Sequence, residues 1–183
     1  MHSIAVIAFD GISPFHLSVP CVVFGDTHPG LPTFDFSVCT AEPGPLRTTS
    51  GFSIVPLHGI DVLERVDTVI VPSWRDPEEV ADPSLLSALR RAHERGARVV
   101  GLCLGAYVLA QARLLDHRRA TTHWVYAADF ARRFPLVRVE SEVLYVEDGL
   151  VVTSAGTAAG LDCCLHLVRQ AFGSAIANQV ARR

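Results

Sequence analysis

The sequence contains no lysine-rich run and no acidic tail. Proteins that grip nucleic acid directly usually gather cations on one face. With a formal net charge of −3, nothing in this chain reads as such a surface. No CxxC pair occurs. The five cysteines, at 21, 39, 103, 163 and 164, are odd in number and include one adjacent pair. That spacing argues against a disulfide framework and against a zinc site, and the thiols read as reduced, in a cytoplasmic setting. No stretch approaches about 18 uninterrupted apolar residues, so no transmembrane helix is expected. The opening "MHSIAVIAFDG" has no basic region before its short apolar run and reads as a first strand, not a signal peptide. There is no internal repeat, low-complexity segment or linker. The chain of 183 residues is 49% hydrophobic, enough for one domain over 1–183 with a substantial core.

Several Val- and Ile-rich runs lack clean alternation: "SIAVIAF" (3–9), "FDFSVCT" (34–40), "DTVIVPS" (67–73) and "ARVVGLC" (97–103). Runs of this kind suit a parallel sheet covered on both faces. Helical patterns lie between them. In "SPFHLSVPCVVFGD" (13–26), Phe15, Val19, Val22 and Val23 are expected on one face, with Pro14 in the first turn. "DPSLLSALRRAHERG" (82–96) starts on an Asp cap followed by Pro and stops at Gly96. Strands alternating with helices predict an α/β layered fold.

Two segments break the alternation. "GPLRTTSGFSIVPLHGI" (44–60) reads as an inserted hairpin, and "VRVESEVLYVEDGLVVTSAG" (137–156) as a second one around Asp148-Gly149. Helices are expected over 157–173 and in the stub 174–183. The stub ends abruptly on "ARR", as if a longer protein had been cut after a helix.

The chemistry concentrates in Gly101-Leu102-Cys103-Leu104-Gly105, a G-x-C-x-G between a strand and a helix. This is the pattern of a nucleophile elbow, a turn so sharp that its central residue is strained. The side chain then projects above the carboxyl ends of the strands, where open α/β sheets keep their pockets. A helix N-terminus favours thiolate and should lower the thiol pKa, and the Leu104 N–H could help hold an oxyanion. The alternative is a buried structural cysteine. The other four cysteines have no such setting and are assigned to the core. A thiolate nucleophile needs a base, and His123 in "RATTHW" is best placed, provided Arg119–Thr122 pairs as the next strand beside the elbow. A reactive Cys103 would also be the first thiol oxidised by mild peroxide. Trp74 could cap a ligand or be a packed indole. Arg75 could pair with an anion or stay a solvated loop residue.

"GLCLGAYVLAQARLLDHRRATTHW" resembles the ThiJ/PfpI branch of the class I glutamine amidotransferase-like superfamily. More narrowly, it is similar to the N-terminal domain of AraC-type transcriptional regulators. Supporting pieces run over nearly the whole chain: "IAFDGISPFHLSVPCVVFG", "DTVIVPSW", "LLDHRRATTHW" and "VVTSAGTAAGLDCCLHLVRQAFGSAIANQVARR". The resemblance implies a flavodoxin-like three-layer sandwich, with a mainly parallel central sheet and helices on both faces, and a homodimer. It matches the family's reactive cysteine to Cys103 and its histidine to His123. The turn after the fourth main strand falls at Ser73-Trp74, whose backbone would supply a second oxyanion donor. The family's enzymes and redox proteins carry a carboxylate from the first helix region, and His16 stands at that position. Asp10 could substitute, though it reads more simply as a turn residue.

Losing that acid weakens the enzyme reading, because imidazole cannot both share a proton with the thiol and orient a substrate as a carboxylate does. The resemblance therefore implies a ligand-sensing and dimerisation domain of a transcription factor. An unknown small molecule would bind around Cys103 and His123, in a pocket lined by His16, Asp10, Ser73, Trp74 and Leu104. DNA would be reached only through a C-terminal helix-turn-helix region that this chain does not carry. The other reading is a stand-alone cysteine-dependent enzyme, an isonitrile-hydratase-like hydro-lyase or hydrolase. No metal and no cofactor are expected.

Overall fold

The four apolar runs become neighbouring strands of one sheet in the computed structural model, which describes residues 1–182. In chain order the elements are β1 (Ser3–Ile7), α1 (Pro14–Pro20), β2 (Asp35–Thr40), β3 (Leu46–Arg47), β4 (Ser53–Ile54), β5 (His58–Gly59), β6 (Thr68–Val71), α2 (Pro83–Glu94), β7 (Arg98–Leu102), α3 (Gly105–Gln111), β8 (Arg119–Ala120), α4 (Ala127–Arg133), β9 (Arg138–Val139), β10 (Tyr145–Asp148), β11 (Val151–Ser154), α5 (Ala159–Phe172) and α6 (Ser174–Ala181). The main sheet runs β10-β11-β7-β6-β1-β2-β5. Every neighbouring pair in it is parallel except β10 with β11.

Because side chains alternate across a strand, each apolar strand feeds two cores. Ala5, Ile7, Val69, Val71 and Val99 point to one face, where α2 and α3 cover them. Ile4, Val6, Ile70, Val100 and Leu102 point to the other, under α5 and the α1 region. Helices on both faces make a three-layer α/β sandwich. Each fully buried Leu or Ile in it contributes about 1.5–3 kcal/mol. The α2 start is set as its sequence implies. Asp82 accepts the Ser84 N–H at 2.7 Å, Pro83 occupies the first turn, and Gly96 ends the segment at φ +100°.

Three expectations change. The α1 region buries Val19 and Val23, but Phe15 and Val22 are exposed and Phe24 is buried in their stead. A switch from α to π geometry over Cys21–Gly25, immediately after Pro20, turns Val22 out and Phe24 in, whereas Phe15 lies ahead of it on the solvent side of α1. The wider turn shifts the facing of every later residue. Arg119–Ala120 does not join the main sheet. It pairs in parallel with Arg138–Val139 in a separate two-stranded sheet. The 137–156 segment forms its hairpin around Asp148-Gly149 as expected, but a shorter one, because Arg138–Val139 pairs elsewhere. Only Tyr145–Asp148 and Val151–Ser154 pair around Gly149, and β11 is buried throughout because it lies inside the sheet against β7. The inserted hairpin is formed by β3 and β4, and it docks on the end of β1 through the Thr49 N–H to Ile12 C=O bond at 3.2 Å.

Candidate functional site

The sheet reverses its winding between β1 and β6. The β1–β2 connection carries α1 over one face, and the β6–β7 connection carries α2 over the other. Such a switch point opens a crevice at the carboxyl ends of the strands. Here it is a cleft of about 270 Å³, and its lining includes His16, Ser73, Trp74, Cys103, Leu104 and His123.

Cys103 sits at φ +53°, a left-handed conformation uncommon outside glycine. Three bonds around the turn hold it there. Its N–H donates to Ser154 O at 3.1 Å, its own carbonyl accepts from Thr122 Oγ1 at 2.9 Å, and Tyr107 N–H returns to Leu104 O at 3.0 Å. Gly105 allows the helix to start this close to β6, since a Cβ there would lie 2.2 Å from Val71 O. The elbow shape is therefore built in full.

Its electrostatics differ from expectation. Burial pushes the Cys103 thiol above its ordinary value of 9.0, and this outweighs hydrogen bonds to sulfur from the Leu104 and Thr157 N–H groups and the Ser73 hydroxyl. At neutral pH the sulfur is a thiol, and the lowered pKa expected from the helix end is not realised. Of the expected oxyanion donors, the Leu104 N–H faces the resting sulfur, while at Ser73 the hydroxyl and not the backbone does so.

His123 reaches the cleft by a route other than sheet pairing. The Thr121 backbone N–H donates to Thr153 Oγ1 of β11 at 2.9 Å, and the Thr122 hydroxyl donates to the Cys103 carbonyl at 2.9 Å, so the 119–122 segment is fastened to β11 and to the elbow. His123 then caps the turn Trp124–Tyr126, its Nδ1 accepting the Val125 N–H at 3.3 Å. Neutral His123 thus carries its proton on Nε2. The ring packs flat against Gly156, where a Cβ would stand 2.2 Å from its Cδ2.

His16 comes from α1. Burial, with His123 nearby, lowers its pKa, so it is a neutral imidazole at pH 7. Both of its ring nitrogens are buried without a partner, as is Trp74 Nε1. Trp74 is a packed indole, 4% exposed and 4.9 Å from the Phe9 ring. Arg75 lies over it and is saturated by Glu42 and Glu79 at 2.6 Å each, leaving no free guanidinium for an anion. Asp10 is not among the cleft residues. Its carboxylate pairs with Arg47 of β3, accepting that residue's N–H at 2.8 Å, and Arg47 holds its pKa down at about 2. It neither reaches Cys103 nor replaces the acid missing at position 16.

The cleft also takes in Ser13, Thr49, Tyr126 and Thr157, which the sequence did not single out. Thr157, at φ +50°, follows Gly156 in "SAGT", and that turn was the available signal. Thr49 arrives only because the hairpin docks. Among the described residues no cluster of three or more His, Cys, Asp or Glu could hold a metal ion, and no helix is long and apolar enough to cross a membrane.

Comparison with known proteins matches this geometry to relatives. A family model described as the DJ-1/PfpI family matches residues 2–170. The chain is 33% identical over 150 residues to the HTH-type transcriptional regulator CdhR of Pseudomonas aeruginosa, a match covering 82% of this chain and 44% of that protein. It is 28% identical over 149 residues to isonitrile hydratase of Pseudomonas putida, covering 81% of this chain and 64% of that protein. Among solved structures, an AraC family transcriptional regulator from Pseudomonas putida superposes with a TM-score of 0.83 at 21% identity, over 100% of this chain and 98% of that one. At that identity the likeness is one of fold. The chain spans less than half the length of CdhR.

Proposed function

The chain belongs to the DJ-1/PfpI family, and from that premise we propose that it is the small-molecule-sensing and dimerisation domain of an AraC-type transcriptional regulator, with the ligand held in the cleft above Cys103. The observation that carries this reading is the cleft at the switch point, with His16 and Trp74 in its lining and His16 Nδ1, His16 Nε2 and Trp74 Nε1 buried behind that lining without partners, where a ligand reaches them by shifting these side chains. A buried polar atom without a partner costs about 1–3 kcal/mol. A small polar ligand that pairs with these atoms recovers that cost on binding. The protonated thiol and the absence of a carboxylate at position 16 favour binding over turnover. Occupancy would shift the geometry of a homodimer only if the ligand binds its two states unequally. DNA would be read by a separate region.

The second reading is a cysteine-dependent hydro-lyase or hydrolase. It is favoured by the left-handed elbow, with N–H donors on the sulfur, and by the likeness to isonitrile hydratase. One panel of small aldehydes, amides and isonitriles separates the two, scored for both Tm shift and product formation. The sensing reading expects a Tm rise without product, lost in His16→Phe. Turnover abolished by Cys103→Ser would replace it with the enzyme.

A further inference from the structure

A second and more enclosed cavity lies at the opposite end of the sheet from Cys103. Thr68 and Arg98 are the first residues of β6 and β7, and Ile4 is the second of β1. These three strands are adjacent. At about 3.3 Å rise per residue, Arg98 stands roughly 16 Å from Cys103 along the same strand. The cavity encloses about 210 Å³. Its walls are Ile4, Leu167 and an aromatic series in which Phe24 meets Phe34 edge-on at 5.2 Å and Phe34 meets Phe172 at 5.7 Å. A dry apolar cavity of about 150 Å³ accepts a benzene ring, so this one has room for a ring and a short tail.

The polar groups of the cavity, His2, Thr68 and Arg98, also line an adjoining polar depression of about 350 Å³. His2 Nε2 and Thr68 Oγ1 satisfy each other at 2.9 Å. Asp67 accepts from the N–H and hydroxyl of Ser3, each at 2.8 Å. Glu147 accepts from His166 at 2.9 Å and Gln170 at 2.5 Å. Arg98 is the group left over. Its side chain is 28% exposed, and among the described residues its only ion pair is a loose one to Glu147 at 3.5 Å. A guanidinium offers five N–H donors in a fork that fits a carboxylate, and this fork stands where the apolar chamber meets the polar depression.

We propose that this cavity binds a small monocarboxylate with an apolar tail of about one aromatic ring, the ring among Phe24, Phe34 and Phe172 and the carboxylate accepting from Arg98. The site is separate from the Cys103 cleft and does not rest on the sensing role given to it. Phe172 is the last residue of α5, and Gly173 turns the chain into α6 at φ +85°. An occupant therefore bears on the α5–α6 junction.

Calorimetric titration of the chain with 3-phenylpropionate tests the assignment, and saturable binding at one site is expected. 3-Phenylpropanol, with the tail and no charge, and inorganic phosphate, with charge and no tail, each bind about tenfold or more weakly. Arg98→Gln weakens 3-phenylpropionate by about tenfold. Ala171→Trp, at an exposed position on the cavity wall, blocks it, and this variant carries the test if Arg98→Gln folds poorly. Cys103→Ala leaves binding unchanged. Absence of saturable binding, equal binding of the alcohol or of phosphate, undiminished binding by Ala171→Trp, or its loss in Cys103→Ala would overturn the proposal.

Discussion

At the scale of the residue, Cys103 is pulled in two directions. The turn aims hydrogen-bond donors at its sulfur, which favours thiolate, while burial favours thiol, and burial is the larger effect. The other four cysteines are also raised: Cys21 to about 11, Cys39 and Cys163 to about 12, and Cys164 well above its ordinary value. Cys103 differs in having donors that oppose the burial. Alkylation by iodoacetamide, followed by intact mass, is therefore expected first at Cys103, yet slowly at pH 7. Its rate should climb with pH through an inflection above 9, since the thiolate is the reactive form. An inflection below pH 8 would mean a thiolate tuned for catalysis. The spacing pattern anticipated the turn at Cys103 and misjudged its acidity, because it reports the helix end but not the depth at which the sulfur is packed.

At the scale of the element, the elbow depends on how closely α3 approaches β6. Gly105 is where the two backbones meet, and the obstacle to a side chain is the Val71 carbonyl, which cannot swing aside. Gly105→Ala should destabilise the fold by about 1–3 kcal/mol, as overpacking does, read as a lower urea midpoint at unchanged m-value. An unchanged midpoint would show that the helix can back away from the sheet at little cost. Two elements nearby depart from their local pattern for other reasons. The 119–122 segment has a strand-like pattern, but its place beside β11 is taken by β10, so it is held to β11 by Thr121 and to the elbow by Thr122. The face expected over 13–26 fails at Phe15, which is exposed within α1, and again past Pro20, where the π turn buries Phe24 in place of Val22.

At the scale of the molecule, carboxylates on different parts of the surface share one electrostatic bias. Asp10 is lowered to about 2 by Arg47, and Asp67, Asp82 and Glu147 are also lowered, by hydrogen bonds from Ser3, from Ser84 and from His166 with Gln170. A carboxylate with a lower pKa in the folded state stabilises it above the unfolded value near 4 and loses that contribution as pH falls through the folded value. Calorimetric Tm should therefore decline gently from pH 6 to about 5, where His16 is protonated more readily in the unfolded chain than in its buried site, and fall more steeply between about pH 4 and 2 as the carboxylates protonate. Asp10→Asn, which removes the Arg47 ion pair and leaves the hairpin's backbone bonds to Gly11 and Ile12 in place, should flatten part of that fall. An equally steep fall in the variant would remove Asp10 from the account.

The α/β layering and the elbow at Cys103 were legible in the sequence, while the meeting of His16, Ser73 and Trp74 with Cys103 was implied only by the family resemblance. Apolar runs without alternation, helix caps and a glycine-flanked turn are local signals, and each acts within about ten residues of chain. Only the tertiary structure decided the state of the thiol, the capture of Asp10 by Arg47, the saturation of Arg75 and the cavity around Phe24, Phe34 and Phe172. Each of these depends on desolvation or on a partner tens of residues away: Asp10 meets Arg47 only when the hairpin docks, and Phe34 meets Phe172 only when α5 lies across the sheet. Burial and long-range pairing are properties of the packed chain, and no local pattern encodes them.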